Sequence, residues 1–175
     1  MALSDIGVEH ARALAARLRD QDLRAVFCSP LTRAVATARL VADPHGLPPC
    51  PTPGLIDIDY GSWTGLSPEE ARQRFPSEFE AWQKDPWSVR MPGGETLSAV
   101  KERSVPALEE IARQAGGTVA VISHDVVNRV LLTHVLQMPP SGFGRIRQEP
   151  ACLNVLVNDA GTWQVIRLND RCHLD

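Results

Sequence analysis

The feature that most constrains this chain is a junction, present twice, at which a short apolar run passes directly into a helical pattern. In "VAVISHDVVNRVLL" the run ends at Ser123-His124-Asp125. In "RAVFCSPLTRAVATA" a similar run ends at Ser29-Pro30. Strands that alternate with helices form parallel sheets with helices on both faces, and their binding sites lie beyond the carboxyl ends of the strands. The junctions therefore predict an α/β fold with His124 at the sheet edge where a site is expected.

The other patterns place further elements around this sheet. Ser4 or Asp5 caps a first helix, and Ser29 is predicted to cap a helix that has Pro30 at its first position and runs to about Ala42. The stretch "LNVLVNDAGTWQVIRL" predicts a hairpin of two antiparallel strands. We expect a three-layer α/β/α sandwich with a mostly parallel sheet and a C-terminal antiparallel hairpin. Three more helices are predicted to begin at Ser67, at Ser77 and at about Thr96, the last one ending near Ala115 with a kink at Pro106.

Length and composition favour one domain over residues 1–175, with a helical side lobe at about 67–94. The net charge of −3 and the scattered basic residues do not favour a nucleic-acid partner. No apolar run is long enough for a membrane span and no signal peptide is visible, so the cytoplasm is the expected location. The four cysteines are far apart and are interpreted as free thiols.

Two of the basic residues have positions that favour an anion. Arg33 lies in the first turn of its predicted helix, and His124 immediately precedes the next helix. A guanidinium and an imidazole beside the free N–H groups of helix amino ends suit a phosphate monoester. A surface arginine and a structural histidine are the alternative interpretations of the same positions. Arg33, His124 and Asp125 are the candidate phosphate-binding residues.

Five segments in order along the chain closely resemble the histidine phosphatase superfamily, which has the phosphoglycerate-mutase-like fold. They are "SPLTRAVATA", "LIDIDYGSWTG", "PGGET", "VISHD" and "LNDRCHL". The resemblance implies that Arg33 is the phosphate-binding arginine and that His124 is the second, stabilising histidine of the site. It implies a soluble enzyme that acts on a small phosphate ester without a metal or an organic cofactor.

In that family a histidine attacks phosphorus, and a carboxylic acid protonates the leaving oxygen. The acid is normally a glutamate, and the matching position in "LIDIDYG" is Asp57. Arg33, His124 and Asp57 are therefore the predicted catalytic residues, with His124 protonated to neutralise the phosphoryl oxygens. Asp59 and Glu95 are the alternative acids, although Glu95 is also interpreted as ordering the loop before the long helix.

The family begins with a strand that ends in Arg-His-Gly and supplies the nucleophilic histidine, and no such motif occurs in this chain. His10 falls inside the first helix and is a poor nucleophile candidate. Two explanations are open: the reading frame begins upstream of Met1, or the protein binds phosphate without turnover. An in-frame Arg-His-Gly upstream of Met1 would support the first. Phosphoglycerate-mutase-type phosphoryl transfer is the enzymatic alternative to hydrolysis.

The residues that would select a substrate have two interpretations each. Trp63 and Trp82 either line the leaving-group pocket or belong to the core. The basic residues of the side lobe either contact a charged substrate tail or are solvated: Arg72, Arg74, Lys84 and Arg90. The identity of the ester and the oligomeric state are not predicted.

Overall fold

The centre of the molecule is a three-stranded parallel sheet, seen in a computed structural model that describes residues 2–175. Its order is β2-β1-β3, with β1 at Leu23–Cys28, β2 at Pro49–Pro51 and β3 at Thr118–Ile122. Both β2 and β3 pair parallel to β1. The carboxyl ends of the three strands therefore share one edge, as the two strand-to-helix junctions predict.

Helices cover both faces of this sheet. Ala120 and Ile122 of β3 contact the apolar cluster of one helix pair, whereas Val119 and Val121 contact the cluster of the other. This alternation arises because successive side chains of a strand point to opposite faces. The expected three-layer α/β/α arrangement is confirmed. One pair is α1 (Asp5–Leu18) with α2 (Thr32–Ala42), and the other is α5 (Leu97–Gln114) with α6 (Asp125–Val135).

The side lobe contains two short helices, α3 (Pro68–Arg74) and α4 (Pro76–Lys84). Ser67 caps α3 together with Glu70 in a reciprocal capping box, as the sequence predicts. The second helix begins at Pro76, with Phe75 as its N-cap, and not at Ser77. Proline suits a first helical position because its fixed φ and missing N–H cost nothing there.

The two tryptophans differ in burial. Trp63 is buried, with its ring centroid 5.8 Å from that of Phe79, so its core interpretation is favoured. Trp82 is half-buried and lies edge-on to Phe143, with 6.3 Å between ring centroids. Both rings help to attach the lobe to the main core.

The predicted C-terminal hairpin is present as β4 (Leu153–Asp159) and β5 (Thr162–Asp170). This confirms the hairpin prediction, and within the described residues its two strands pair with each other in a two-stranded sheet of their own. The physical reason is a groove of about 620 Å³, lined by both β3 and β4, that separates the two strands. Strands across such a groove are too far apart to exchange backbone hydrogen bonds.

Two further observations concern the whole described chain. Within residues 2–175, no helix combines the length and the apolar character that crossing a bilayer requires. The four cysteines are free thiols, as expected, and Cys28 is buried at the end of β1.

Candidate active site

The candidate site lies at the edge where β1 and β3 end. Cys28 and Ile122 are aligned as the last paired residues of these strands, and the Ser29 N–H donates to the Ile122 carbonyl at 2.9 Å. The residues that follow each strand are consequently neighbours. His124 is the N-cap of α6, so its backbone is still extended and its side chain lies beside the start of α2.

Ser29 holds the imidazole of His124. The Ser29 Oγ lies 2.7 Å from the His124 Nε2, and both side chains are buried. The prediction that Ser29 caps the next helix is wrong, because α2 begins at Thr32 with Leu31 as its N-cap. Ser29 is instead a residue of the site, and its Oγ also accepts from the Leu31 N–H at 3.3 Å.

Arg33 contacts the opposite side of the imidazole. Its Nη2 lies 3.2 Å from the His124 Nδ1. A guanidinium can only donate, so Nδ1 must be the accepting nitrogen and Nε2 must carry the proton that is donated to Ser29. The site without ligand thus contains a neutral imidazole in a defined tautomer.

The surroundings of His124 favour the same neutral state. Burial, which disfavours the charged form, is the main cause that lowers its pKa to about 4. The nearby charge of Asp57 opposes this shift, and the charges of Arg33 and Arg103 add to it. The site without ligand therefore favours a neutral His124, and its protonation beside a bound phosphoryl group stays a prediction.

Asp57 completes the cluster despite its short side chain. Its Oδ2 accepts from the Arg33 Nη2 at 2.7 Å and lies 3.5 Å from the His124 Nδ1. Its Oδ1 accepts from the Ile58 N–H at 2.9 Å, which fixes the carboxylate plane. The structure thus brings together Arg33, His124 and Asp57 through one guanidinium nitrogen.

A second arginine, Arg103 on α5, was not singled out from the sequence and holds the Asp57 segment in place. It donates to the carbonyls of Gly54, Ile56 and Asp57 at 3.0, 2.6 and 3.1 Å. Its Nε and Nη2 donate to the two carboxylate oxygens of Glu95 at 3.0 and 2.9 Å. All of its donor nitrogens are therefore committed to the protein.

These contacts bear on the two alternative acids. Burial by itself would raise the pKa of Glu95, but hydrogen bonds from Arg103 and from the Asp59 N–H, with the charge of Arg103, lower it overall. The Asp59 Oδ1 accepts from the Gly61 N–H at 2.8 Å. The hydrogen bonds of these two carboxylates are to Arg103 and to loop N–H groups, whereas Asp57 contacts Arg33 and lies near His124. That Asp57 is the acid stays a prediction.

Three more side chains surround the cluster. Burial, and next the charges of Asp57 and Asp125, raise the pKa of Tyr60. Asp125 is the first residue of α6, and burial is the main cause that raises its pKa. Arg129 donates to the Phe143 carbonyl at 2.9 Å and stacks over the Phe143 ring at 3.9 Å, so much of its guanidinium is already occupied.

The other histidines lie elsewhere in the described chain. His134 is in the last turn of α6, about 14 Å along the helix from Asp125 at 1.5 Å per residue, and its Nε2 lies 3.3 Å from a carboxylate oxygen of Glu109. The His173 ring contacts the Ala151 carbonyl at 3.0 Å. His10 lies in α1, and His45 lies in a 3-10 turn after α2.

The basic residues of the lobe have local partners as well. The exposed Arg72 pairs with Glu69 of the same helix at 2.9 Å. Arg90 donates to the Gly94 carbonyl at 3.1 Å. These contacts favour the solvated interpretation for both residues.

The arrangement as a whole is suited to an oxyanion. Arg33 uses one nitrogen within the cluster, and its other donors have no partner among residues 2–175. Its side chain is 32% exposed, and two helices begin at the same edge. Helix amino ends and a guanidinium are the common partners of phosphate groups in α/β proteins. Among residues 2–175, no three His, Cys, Asp or Glu side chains are grouped in a way that would hold a metal ion.

Comparison with known proteins identifies the family to which the chain belongs. A model of the histidine phosphatase superfamily (branch 1) matches residues 1–171. The chain therefore belongs to the histidine phosphatase superfamily, as the resemblance predicted.

Two relatives illustrate the range of the superfamily. The chain is 32% identical to phosphoserine phosphatase 1 of Hydrogenobacter thermophilus over 173 residues, which cover 98% of this chain and 82% of that protein. It is 34% identical over 136 residues to the 6-phosphofructo-2-kinase/fructose-2,6-bisphosphatase of Gallus gallus, covering 77% of this chain but 28% of that protein. The chain thus corresponds to most of the first relative and to one part of the second.

A solved structure has the same fold. Bacillus stearothermophilus YhfR superposes with a TM-score of 0.93 at 26% identity, covering 99% of this chain and 87% of that one. The α-ribazole phosphatase from Shigella flexneri gives a TM-score of 0.84 at 26% identity, covering 97% of this chain and 84% of that one. The phosphoglycerate-mutase-like arrangement is therefore shared by the described chain and these phosphatase-related structures.

Proposed function

We propose that this chain forms the phosphate site of a phosphomonoester hydrolase that acts on a small, soluble phosphate ester in the cytoplasm. The observation that carries the proposal is the bridging position of Arg33, which contacts both Asp57 and His124 at 2.7 and 3.2 Å. A doubly charged phosphoryl group entering this cluster finds a guanidinium with free donors, an imidazole and the N–H groups at the start of α6. Asp125 contributes through its backbone N–H, since its carboxylate would repel the phosphate.

A bound phosphate would shift His124 toward its protonated form. Its negative charge favours the imidazolium form of His124 and opposes the burial that keeps the free imidazole neutral. His124 then neutralises a phosphoryl oxygen as the reaction proceeds. Arg33 turns from Asp57 to the phosphate, and the Asp57 carboxyl is placed to act as the acid for the leaving oxygen.

The chemical steps are those of a phosphohistidine mechanism. A histidine nitrogen forms a bond to phosphorus, the phosphorus–oxygen ester bond breaks, and Asp57 gives a proton to the leaving oxygen. Water then attacks phosphorus with Asp57 as the base, which frees the histidine and releases inorganic phosphate. His124 is occupied by Ser29 and Arg33, so we assign the nucleophile to a histidine outside the 175 residues.

The relatives support a phosphatase and leave the substrate open. Phosphoserine phosphatase 1 and the α-ribazole phosphatase have names that specify different small phosphate esters. A relative of Methylobacterium sp., 34% identical over 139 residues, is a 2,3-bisphosphoglycerate-dependent phosphoglycerate mutase. Phosphoryl transfer to an acceptor other than water is therefore the enzymatic alternative to hydrolysis.

Phosphate-ester binding without turnover is the second candidate function. The observation that favours it is that His124 is the one histidine found in the cluster among residues 2–175, and it has structural partners on both ring nitrogens. Such a protein would bind inorganic phosphate through Arg33 but would not hydrolyse esters.

Hydrolysis of p-nitrophenyl phosphate with and without added imidazole separates the two candidates. Free imidazole can attack phosphorus in place of a histidine side chain, and the nitrophenolate leaves without needing a proton. We expect imidazole-dependent release that falls at least about tenfold in Arg33→Met and His124→Ala, because charge-assisted hydrogen bonds of this kind contribute about 1.5–3 kcal/mol. Arg24→Met is the matched control, because Arg24 is an exposed residue of β1 paired with Asp22.

Phosphate binding that requires Arg33, without any imidazole-dependent release, would favour the binding protein. Release that is equal in Arg33→Met and Arg24→Met would contradict both candidates. An alkyl phosphate adds a test of Asp57: Asp57→Asn should impair alkyl ester cleavage more than p-nitrophenyl ester cleavage, because only the alkoxide must be protonated.

A further inference from the structure

A second polar cleft, of about 350 Å³, lies beside the candidate site. Asp125 lines it, and Asp125 directly follows His124 at the start of α6. Arg129 lines it one helical turn further on, about 6 Å along the helix from Asp125 at 1.5 Å per residue. The cleft therefore extends along α6, away from the end of the helix where the phosphoryl group is proposed to bind.

The other wall of the cleft is the segment "GRIRQ", which follows α6 along the chain. Arg145 and Arg147 line the cleft on either side of Ile146. Ile146 has an extended backbone and is 4% exposed, so its side chain points into the core and the two arginines that flank it lie on the solvent side. Both arginines are exposed. The segment thus presents two guanidinium groups to one polar cleft.

Arg129 attaches this wall to α6. Its Nη2 donates to the Phe143 carbonyl at 2.9 Å, and its guanidinium stacks over the Phe143 ring at 3.9 Å. Its Nη1 lies 3.8 Å from the Asp125 Oδ2, so the charges of Arg129 and Asp125 offset each other. Arg129 is therefore a structural residue of the cleft, and its charge already has a partner.

The remaining polar side chains of the cleft differ in the partners that they have. The Arg147 Nη2 donates to the Glu149 carboxylate at 2.6 Å. The Gln148 amide is bonded to Asn154 through both its nitrogen and its oxygen, at 3.0 and 2.6 Å. Arg145 is the one arginine of the cleft whose guanidinium has no hydrogen-bond or ion-pair partner among residues 2–175. The cleft therefore keeps an excess of positive charge, which favours an anionic ligand.

We propose that this cleft binds a second anionic group, a carboxylate or a phosphoryl group, on the leaving group of the substrate, with Arg145 as its main partner. The inference rests on the proposed function, because the first phosphoryl group must be held by Arg33 and the start of α6. The fork of donors on a guanidinium matches the oxygens of a carboxylate or a phosphate. The Asp125 carboxylate repels an anion placed directly beside the first phosphoryl group, so the two anionic groups of the substrate are several carbon atoms apart.

Titration calorimetry with phosphonates tests the proposal, because phosphoester hydrolysis does not cleave a carbon–phosphorus bond. One series of probes has a carboxylate at the far end of the alkyl chain, and a second series has another phosphonate there. Each series contains chains of different lengths, and each probe is compared with the alkylphosphonate of equal length. We expect at least one probe with a charged tail to bind at least about threefold more tightly than its uncharged counterpart, which is the strength of an exposed ion pair.

Three variants make the test specific to the cleft. Arg145→Met removes an exposed side chain, so it should fold, abolish the preference for charged tails and change the affinity for inorganic phosphate less than about twofold. Arg147→Met should reduce the preference less, because Arg147 already pairs with Glu149. Arg24→Met is the matched control: it removes the same charge from an exposed residue of β1 that pairs with Asp22, and should leave the preference within about twofold.

A preference that Arg145→Met abolishes supports the proposal, and the series that shows it identifies the second group as a carboxylate or a phosphoryl group. Equal binding of charged and uncharged tails in the unchanged chain overturns the proposal. Loss of the preference in Arg24→Met as well overturns it, since the probes would then respond only to net charge. An equal loss of affinity for inorganic phosphate and for the tailed probes in Arg145→Met also overturns it.

Inorganic phosphate separates this inference from the proposed function. Binding of phosphate that depends on Arg33, without any preference for charged tails, leaves the proposed function intact and overturns the second subsite. Absence of binding by every probe, inorganic phosphate included, contradicts the proposed function and overturns with it the inference that depends on it.

Discussion

Arg33 and Arg103 approach the Asp57 segment in opposite ways. Arg103 contacts the backbone of this segment: its nitrogens donate to three carbonyls and to the Glu95 carboxylate. Arg33 contacts the Asp57 side chain through a single nitrogen, Nη2, which also contacts His124. The side chain of Arg103 is 22% exposed and that of Arg33 is 32% exposed, so burial alone does not distinguish them.

The difference teaches how a structural arginine can be told from a ligand-binding one. A guanidinium has five N–H donors, and those that have no partner in the protein are available to a ligand. All donor nitrogens of Arg103 are bonded to the Asp57 segment or to Glu95, so this arginine connects the segment to α5. Within residues 2–175, Arg33 keeps donors without a protein partner, and we therefore propose it as the anion-binding residue.

The largest expected effect is on stability and follows from Arg103→Met. The substitution leaves three carbonyls and the half-buried Glu95 carboxylate without their partner, so we expect a loss of about 4 kcal/mol in the free energy of unfolding. Urea unfolding measures it. Lys101→Met on the exposed face of the same helix is the control, with an expected change below about 0.5 kcal/mol. Equal losses in the two variants would contradict the structural role of Arg103.

The second effect is the pH dependence contributed by His124. Its pKa falls from 6.5 in the unfolded chain to about 4 in the fold, so the unfolded state binds more protons between these values. Stability is therefore lost as the pH falls from 6.5 to 4, by about 2 kcal/mol after allowance for solvent screening.

His124→Gln isolates this contribution. Glutamine can still accept from Arg33 and donate to Ser29, but it does not titrate. Urea unfolding across the same pH range should show a smaller decline for His124→Gln than for the unchanged chain. Identical slopes would mean that His124 is charged or accessible in the fold.

A smaller effect distinguishes two buried serines. Both Ser29 and Ser104 are 0% exposed, but Ser29 accepts from His124, whereas the Oγ of Ser104 has no hydrogen-bond partner within the described residues. Ser29→Ala should cost about 1 kcal/mol, because it leaves the Nε2 proton of His124 buried without an acceptor. Ser104→Ala should be neutral or stabilising. Thermal unfolding of the two variants compares them directly, and the reverse order would show that the imidazole does not depend on Ser29.

Much of the fold is predictable because it depends on local pattern. The apolar runs ending at Ser29 and Ser123 and the 3.6-residue periodicity of α5 required no tertiary information. The separation of β4 from the main sheet was not predictable, because a hairpin signal says nothing about which edge the hairpin pairs with. That outcome depends on a neighbour strand far away in sequence.

The site was partly predictable for a similar reason. Arg33, His124 and Asp57 occur in segments whose order along the chain resembles the histidine phosphatase superfamily. The structure brings the three side chains together. Ser29 looked like a helix cap, since serine before proline is a common helix start. Arg103 lies in "VKERSV", which is typical of a solvated helix face, and only the folded chain places Glu95 and the Asp57 loop against it.

Binding of inorganic phosphate tests the central claim most directly. Titration calorimetry should compare Arg33→Met with Arg24→Met, which remove the same charge from opposite ends of the β1–α2 unit. We predict that Arg33→Met weakens phosphate binding at least about tenfold, because a charge-assisted contact of about 1.5–3 kcal/mol is lost, while Arg24→Met changes it less than about twofold. Equal weakening in both variants would mean that phosphate responds only to net charge, and would contradict a built phosphoryl site at the β1–β3 edge.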